Sequence, residues 1–97
     1  MKKEEIKSNQ ELATALKQRR HELHITQKSL ADFCNLSHNG ISRIELGESD
    51  VQLSTLLKMS KVLGFKIVLE WKNEITLRFY ENQLVGTLSR DENLVRL

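Results

Sequence analysis

The sequence predicts a mainly α-helical domain followed by a β tail, and three observations predict it. Apolar residues recur at helical spacing from about residue 9 to residue 63, punctuated by capping residues and by Gly or Asn stops. After Gly64 the period switches to two, with Phe65, Ile67, Leu69 and Trp71 on one face of the run Phe65 to Trp71. Finally, the 97 residues include no Pro and only 5% aromatics, which suits short packed helices. A chain this short buries only about 60–65% of its unfolded surface, so a second subunit would add needed burial. The expected organisation is a helical domain over 1–64 and a strand-and-hairpin tail over 65–97, with no Gly/Ser/Pro linker between them.

The first helix opens on Ser8-Asn9-Gln10-Glu11, a capping box, and carries the stripe Leu12, Ala15, Leu16, Arg19 and Leu23. Thr26 caps a second, short helix with the apolar residues Leu30, Ala31 and Phe33. It must stop near Asn35, one of the few non-Gly residues that tolerates a left-handed backbone. Ser37 caps a third helix, which turns Ile41 and Ile44 inward and ends at Gly47. A fourth helix over Leu53 to Leu63 aligns Leu53, Leu56, Leu57, Ser60 and Leu63, and Gly64 closes it. Beyond the Phe65–Trp71 strand, Ile75–Phe79 and Leu84–Leu88 alternate as a hairpin pair, with Glu81-Asn82-Gln83 as its loop. The residues from Arg90 onward are charge-rich and expected to fray.

Bulk properties exclude several classes. The net charge of +2 is too small to argue for nucleic acid by itself. The excess lies in residues 1–47, with eight Lys/Arg against six acids, whereas 48–97 hold seven of each. Cys34 is the sole cysteine, expected as buried filler, so no internal disulfide and no oxidising compartment are indicated. The opening Met1-Lys2-Lys3-Glu4-Glu5 reads as no secretory signal and no apolar run approaches a membrane span, so a cytoplasmic location is expected. No nucleophile triad, paired-carboxylate pocket or phosphate-cradling Gly loop appears, so no enzyme and no cofactor are expected. His21, His24 and His38 do not form a metal pattern.

Two short helices, Thr26 to Cys34 and Ser37 to Leu46, have the dimensions of a helix-turn-helix. Asn35 accepts the turn conformation, while Leu30, Ala31, Ile41 and Ile44 brace the pair. The outward face of the second helix carries His38, Asn39, Ser42 and Arg43, polar groups suited to reading base edges. Asn pairs bidentately with adenine and Arg with guanine, which makes Asn39 and Arg43 the leading readers. Gly40 costs about 1 kcal/mol in a helix relative to Ala. A side chain there would point toward the turn or the groove. Arg19, Arg20 and Lys28 flank this face, either as phosphate clamps or as solvated helix charges.

Leu16-Lys17-Gln18-Arg19-Arg20, Ile25 to Ala31 and Leu36 to Gly47 together resemble the Xre/Cro (lambda-repressor-like) family of repressors. The T-Q-x-x-L-A and I-S-x-x-E-x-G strings stand at that family's spacing, and the resemblance covers about residues 9–64. It implies a four- to five-helix domain, with Leu53 to Gly64 standing for the fourth and fifth helices in one pass. It also implies that Gln27 and Ser37 hold phosphates, that His38, Asn39, Ser42 and Arg43 face bases, and that Glu45 is structural. Asn35 departs from the family's usual Gly, and Val51 from a common Pro.

The Phe65–Trp71 run directly after such a domain resembles HipB-like antitoxins, partners of HipA-like serine/threonine kinase toxins. The implied assembly is a homodimer on a palindromic double-stranded operator, dimerised through Phe65, Ile67, Leu69 and Trp71 in an intermolecular sheet. Recognition helices would then stand about 34 Å apart. An intramolecular meander over the fourth helix is the alternative. Ile75 to Leu88 resembles the opening hairpin of HipA-type kinases or of their split-off small subunit, with Gln83 replacing the usual Gly. That hairpin is either a docking element for the kinase assembly or an added pair of strands in the dimer sheet. Three functions stay open: an autorepressing antitoxin, a free-standing Xre-family regulator, and an interaction module without DNA binding.

Overall fold

Four helices follow in order, α1 (Asn9–Glu22), α2 (Gln27–Cys34), α3 (His38–Leu46) and α4 (Leu53–Leu63), then two strands, β1 (Glu74–Arg78) and β2 (Leu84–Ser89). The computed structural model describes residues 2–72 in full, and 74–78 and 84–89 by their backbone. The chain divides into two units, Met1–Ile67 and Val68–Leu97. The first runs three residues past Gly64 because Phe65 still packs on the helical core.

Local chemistry sets the helix ends. Ser8 Oγ accepts from the Glu11 N–H at 3.1 Å, and the Glu11 carboxylate reaches back to the Lys7 N–H at 3.2 Å. The box is thus closed one residue earlier than the usual reciprocal pair, which returns to the cap's own N–H. Thr26 takes the Ser29 N–H at 3.0 Å and Ser37 takes that of Gly40 at 2.9 Å. Asn35 closes α2 at φ 54°, in the left-handed region the turn requires. His24 sits at φ 58° after α1, where the Ile25 N–H returns to Arg20 O at 3.1 Å; no Gly or Asn announced that turn. Gly47 needs both its conformation and its size. Its φ is 73°, and a Cβ there would lie 2.6 Å from Gln10 Oε1 and 3.2 Å from Gln10 Cα.

The core of the first unit joins Leu16 of α1, Leu30, Ala31 and Cys34 of α2, Ile41 and Ile44 of α3, and Met59 and Leu63 of α4. Fully burying a side chain such as Leu30, Ile41, Met59 or Leu63 contributes about 1.5–3 kcal/mol each. Two faces differ from the periodic reading. On α1, Ala13, Leu16 and Arg20 are buried, while Arg19 is exposed and Leu23 is 37% exposed. The face is rotated because a counter-charge on α3 lets Arg20 enter the interior. On α4, Leu56, Met59, Val62 and Leu63 point to the core, leaving Leu53 60% and Leu57 47% exposed. Both leucine stripes have helical spacing, so periodicity alone did not select between them. Phe33 of α2 is also outside, with Cys34 taking the inward place; burial raises the Cys34 thiol pKa, partly offset by Lys58.

In the second unit β1 and β2 pair antiparallel, with Ile75 opposite Leu88, Thr76 opposite Thr87 and Arg78 opposite Leu84. The register shifts between Thr76 and Arg78. The expected loop Glu81-Asn82-Gln83, Phe79 and the charged segment from Arg90 lie outside the described residues. The expected strand Phe65 to Trp71 carries no strand pairing among the described residues. No helix among the described residues is long and apolar enough to cross a membrane.

Candidate nucleic-acid interface

The site is built on α3. Ile41 and Ile44 anchor one side of the helix in the core, and the same 3.6-residue period turns His38, Asn39, Ser42 and Arg43 to the other. His38, Asn39 and Arg43 are exposed and Ser42 is half-buried. The exposed Ser37 caps the helix through the Gly40 N–H, so the amides of His38 and Asn39 remain at the helix start, where partial positive charge gathers. A Cβ on Gly40 would stand 3.1 Å from Ser37 Oγ. Gly40 therefore faces the turn, and its smallness leaves room for the cap.

Beneath this face lies a network that positions α3. The Arg20 guanidinium grips Glu45 with both arms, Nε to Oε2 at 2.6 Å and Nη2 to Oε1 at 2.9 Å, and its Nη1 donates to Ile25 O at 2.8 Å. Gln27 at the start of α2 adds a carboxamide N–H to Glu45 Oε1 at 3.0 Å. One carboxylate thus ties α1, the start of α2 and the C-terminal half of α3 together. Burial opposes the charged form of Glu45. Hydrogen bonds from Arg20 and Gln27, with the charges of Arg20 and Lys17, outweigh it and hold the carboxyl below the usual glutamate range.

These contacts revise the flanking set. Arg20 is not a phosphate-facing residue: it is 7% exposed and its donors serve Glu45 and Ile25. Arg19 Nε donates to Leu63 O at 2.8 Å and its Nη1 lies 3.6 Å from Glu22, so this guanidinium caps the C-terminus of α4. Lys28 is exposed in the first turn of α2, beside the half-buried Gln27. Of the expected dimer residues, Phe65 packs against its own core, whereas Ile67 is 43% exposed and Leu69 and Trp71 are each 79% exposed. The Arg20–Glu45 pair went unread in the sequence as a pair. Its signal was there: Arg20 falls four residues after the buried Leu16 and Glu45 four residues after the buried Ile41, so opposite charges occupy inward positions on two helices.

A helix-turn-helix family profile matches residues 16–69. Among curated proteins no sequence matches. Solved structures do. A HipB variant in complex with an O2 20mer is 28% identical, with a TM-score of 0.63 over 70% of this chain and 94% of that one. A structure described as MDT Protein and a HipA–HipB–O2–O3 complex each give 28% identity and a TM-score of 0.62 over 69% of this chain and 94% of the other. The capped pair α2–α3, the polar outer face of α3 and the profile over more than half of the chain agree: the chain belongs to the helix-turn-helix family, in its Xre-type branch, and is similar to HipB in fold.

Proposed function

We propose that this protein is a sequence-specific DNA-binding repressor, the HipB-like antitoxin of a toxin–antitoxin operon that it autoregulates. The observation that carries the reading is the outer face of α3. His38, Asn39, Ser42 and Arg43 gather there on a helix whose inner side is fixed by Ile41, Ile44 and the buried Glu45. A reading helix must hold its side chains against base edges without moving itself, and the Arg20–Glu45–Gln27 network supplies that rigidity. Asn39 and Arg43 read bases directly, with His38 and Ser42 beside them. Phosphates are held by Ser37 and Lys28 and by the free backbone N–H groups at the start of α2, including that of Gln27. The Gln27 carboxamide is engaged with Glu45, so its backbone is the better phosphate donor.

The protein acts as a homodimer on a palindromic operator, with Ile67, Leu69 and Trp71 of two copies forming an intermolecular sheet. The support is the alternating apolar run, its exposure and the absence of an intrachain strand partner among the described residues. The HipA-containing complex among the similar structures supports a HipA-like kinase as a further partner, with the 74–89 hairpin as a candidate docking element. The site of action is the cytoplasm.

Fluorescence anisotropy with duplexes from the protein's own upstream region tests the central claim. Binding is expected to be sequence-selective and to weaken linearly in log affinity against log salt. Arg43→Ala is expected to cost about 1–3 kcal/mol and relax preference at one base pair. Binding indifferent to sequence would overturn the reading. Co-expression with an adjacent kinase-like reading frame, with and without residues 74–97, tests the antitoxin arm.

A further inference from the structure

Leu46 is the last residue of α3 and the one large apolar side chain of that helix left outside, 55% exposed. It is neither part of the core nor packed against it, since Ile41 and Ile44 take the inward places. The helix end makes no use of it either. Backbone groups close α3, with the Gly47 N–H returning to Ile44 O at 3.0 Å and the Glu48 N–H to Arg43 O at 3.4 Å. A single exposed leucine is ordinary on a protein surface, but the place of this one is specific. It stands three residues after Arg43, four after Ser42 and seven after Asn39, spacings that gather side chains on one helix face. At about 100° per residue, Leu46 points within about 20° of Asn39 around the axis of α3, between Ser42 and Arg43. A rotation of α3 that hid Leu46 would pull the neighbouring Glu45 away from Arg20 and Gln27, so the buried network holds this leucine outward.

We infer that Leu46 is a further base-reading residue, which packs against the C5-methyl group of a thymine in the major groove. This rests on the reading of α3 as a DNA-binding helix given above. His38, Asn39, Ser42 and Arg43 offer hydrogen bonds, and Leu46 is the one group on their face with none to offer. Among the base-edge features of the major groove, the thymine methyl is the one that is apolar. Cytosine presents only a hydrogen at that carbon, so an apolar contact there separates the two pyrimidines without a hydrogen bond. The position along the duplex follows from the helix. Leu46 lies about 4.5 Å of helix rise beyond Arg43. That is little more than one base-pair rise of about 3.4 Å, so its thymine falls within about two base pairs of the pair that Arg43 reads.

The test measures fluorescence anisotropy of the full chain on duplexes from the protein's own upstream region. Each thymine is replaced in turn by deoxyuridine, which removes only the methyl group. Wild type is expected to lose about fourfold in affinity at one thymine, or at its symmetry mate, the worth of one buried methyl. Leu46→Ala is expected to bind the thymine and deoxyuridine duplexes alike, with an unchanged salt slope because no phosphate contact is lost. Leu46→Met, still apolar, should keep the sensitivity, and Leu46→Gln, of similar length, should lose it. The sensitive thymine should lie within about two base pairs of the preference that Arg43→Ala relaxes. The inference is overturned if no deoxyuridine replacement weakens wild type, or if the loss persists in Leu46→Ala, which would assign the methyl to another residue. It is also overturned if Leu46→Ala halves the mass by light scattering, because a second copy would then be what covers this leucine. Should Leu46→Ala lower helical content, the Met and Gln variants decide the matter. Failure of wild type to bind any duplex, or binding indifferent to sequence, would refute the repressor reading itself. Either is distinguishable from sequence-selective binding that is blind to the methyl.

Discussion

The two units of this chain treat apolar side chains in opposite ways. In Met1–Ile67, each helix contributes residues to a shared core, and the only buried charges described there, Arg20 and Glu45, neutralise each other. At the start of Val68–Leu97 the apolar side chains stand outside, with Val68 65% exposed and Leu69 and Trp71 79% exposed. Exposed apolar residues in sequence, on a run without backbone pairing among the described residues, are what the proposed pairing with a second copy would cover. The difference teaches where stability resides and which run the proposed assembly would use. The helical unit is closed around its own core, and the tail offers what that core does not use.

The comparison can be broken most forcefully at Glu45. Glu45→Ala leaves Arg20 buried without a partner and is expected to cost about 3–5 kcal/mol in urea unfolding. A loss below about 1 kcal/mol would mean that the helical unit does not depend on its internal ion pair. Trp71→Glu probes the other side. Helical circular dichroism should be unaffected while the mass by light scattering halves, and an unchanged mass would reject strand pairing between copies.

A pH titration sharpens the contrast further. Because the Glu45 carboxyl is held below its ordinary value in the folded state, the unfolded chain binds more protons there in acid. Its stabilisation is complete above the unfolded glutamate value, about 4.3, and is lost as pH falls from there through the depressed folded value. Glu45→Gln should flatten this acid limb; an identical limb in the variant would remove Glu45 as its source. The smallest effect is expected at Thr26→Ala, which deletes the α2 cap and should lower stability by about 1 kcal/mol.

How much was readable beforehand varied along the chain for physical reasons. The caps Ser8, Thr26 and Ser37 and the left-handed Asn35, Gly47 and Gly64 were all readable, since each acts on amides within one turn of itself. The polar face of α3 was readable too, because Ile41 and Ile44 leave only one side for His38, Asn39, Ser42 and Arg43. The buried stripe of α1 was not, because an arginine occupies one of its inward positions. On α4 the leucines outnumber the places available in the core, so the face expected from Leu53, Leu56, Leu57, Ser60 and Leu63 is only partly the buried one: Leu53 and Leu57 stand outside and Met59 and Val62 take inward places. His24 gave a weaker signal: histidine is among the non-Gly residues enriched in the left-handed region, but it enters that region less readily than Gly, and the turn is closed by the hydrogen bonds that end α1.

Residues that act within a few positions of themselves thus declare their role in the order of the amino acids, and here they mark most helix boundaries, though neither the end of α1 nor the start of α4, and the polar face of α3. The roles of Arg19 and Arg20 needed the assembled domain. Their partners stand 44 and 25 residues away, at Leu63 and Glu45. Two adjacent arginines look alike in a linear chain. The packing of α1 against α3 and α4 sends one into the core to hold Glu45 of α3 and leaves the other at the surface to cap the last carbonyl of α4.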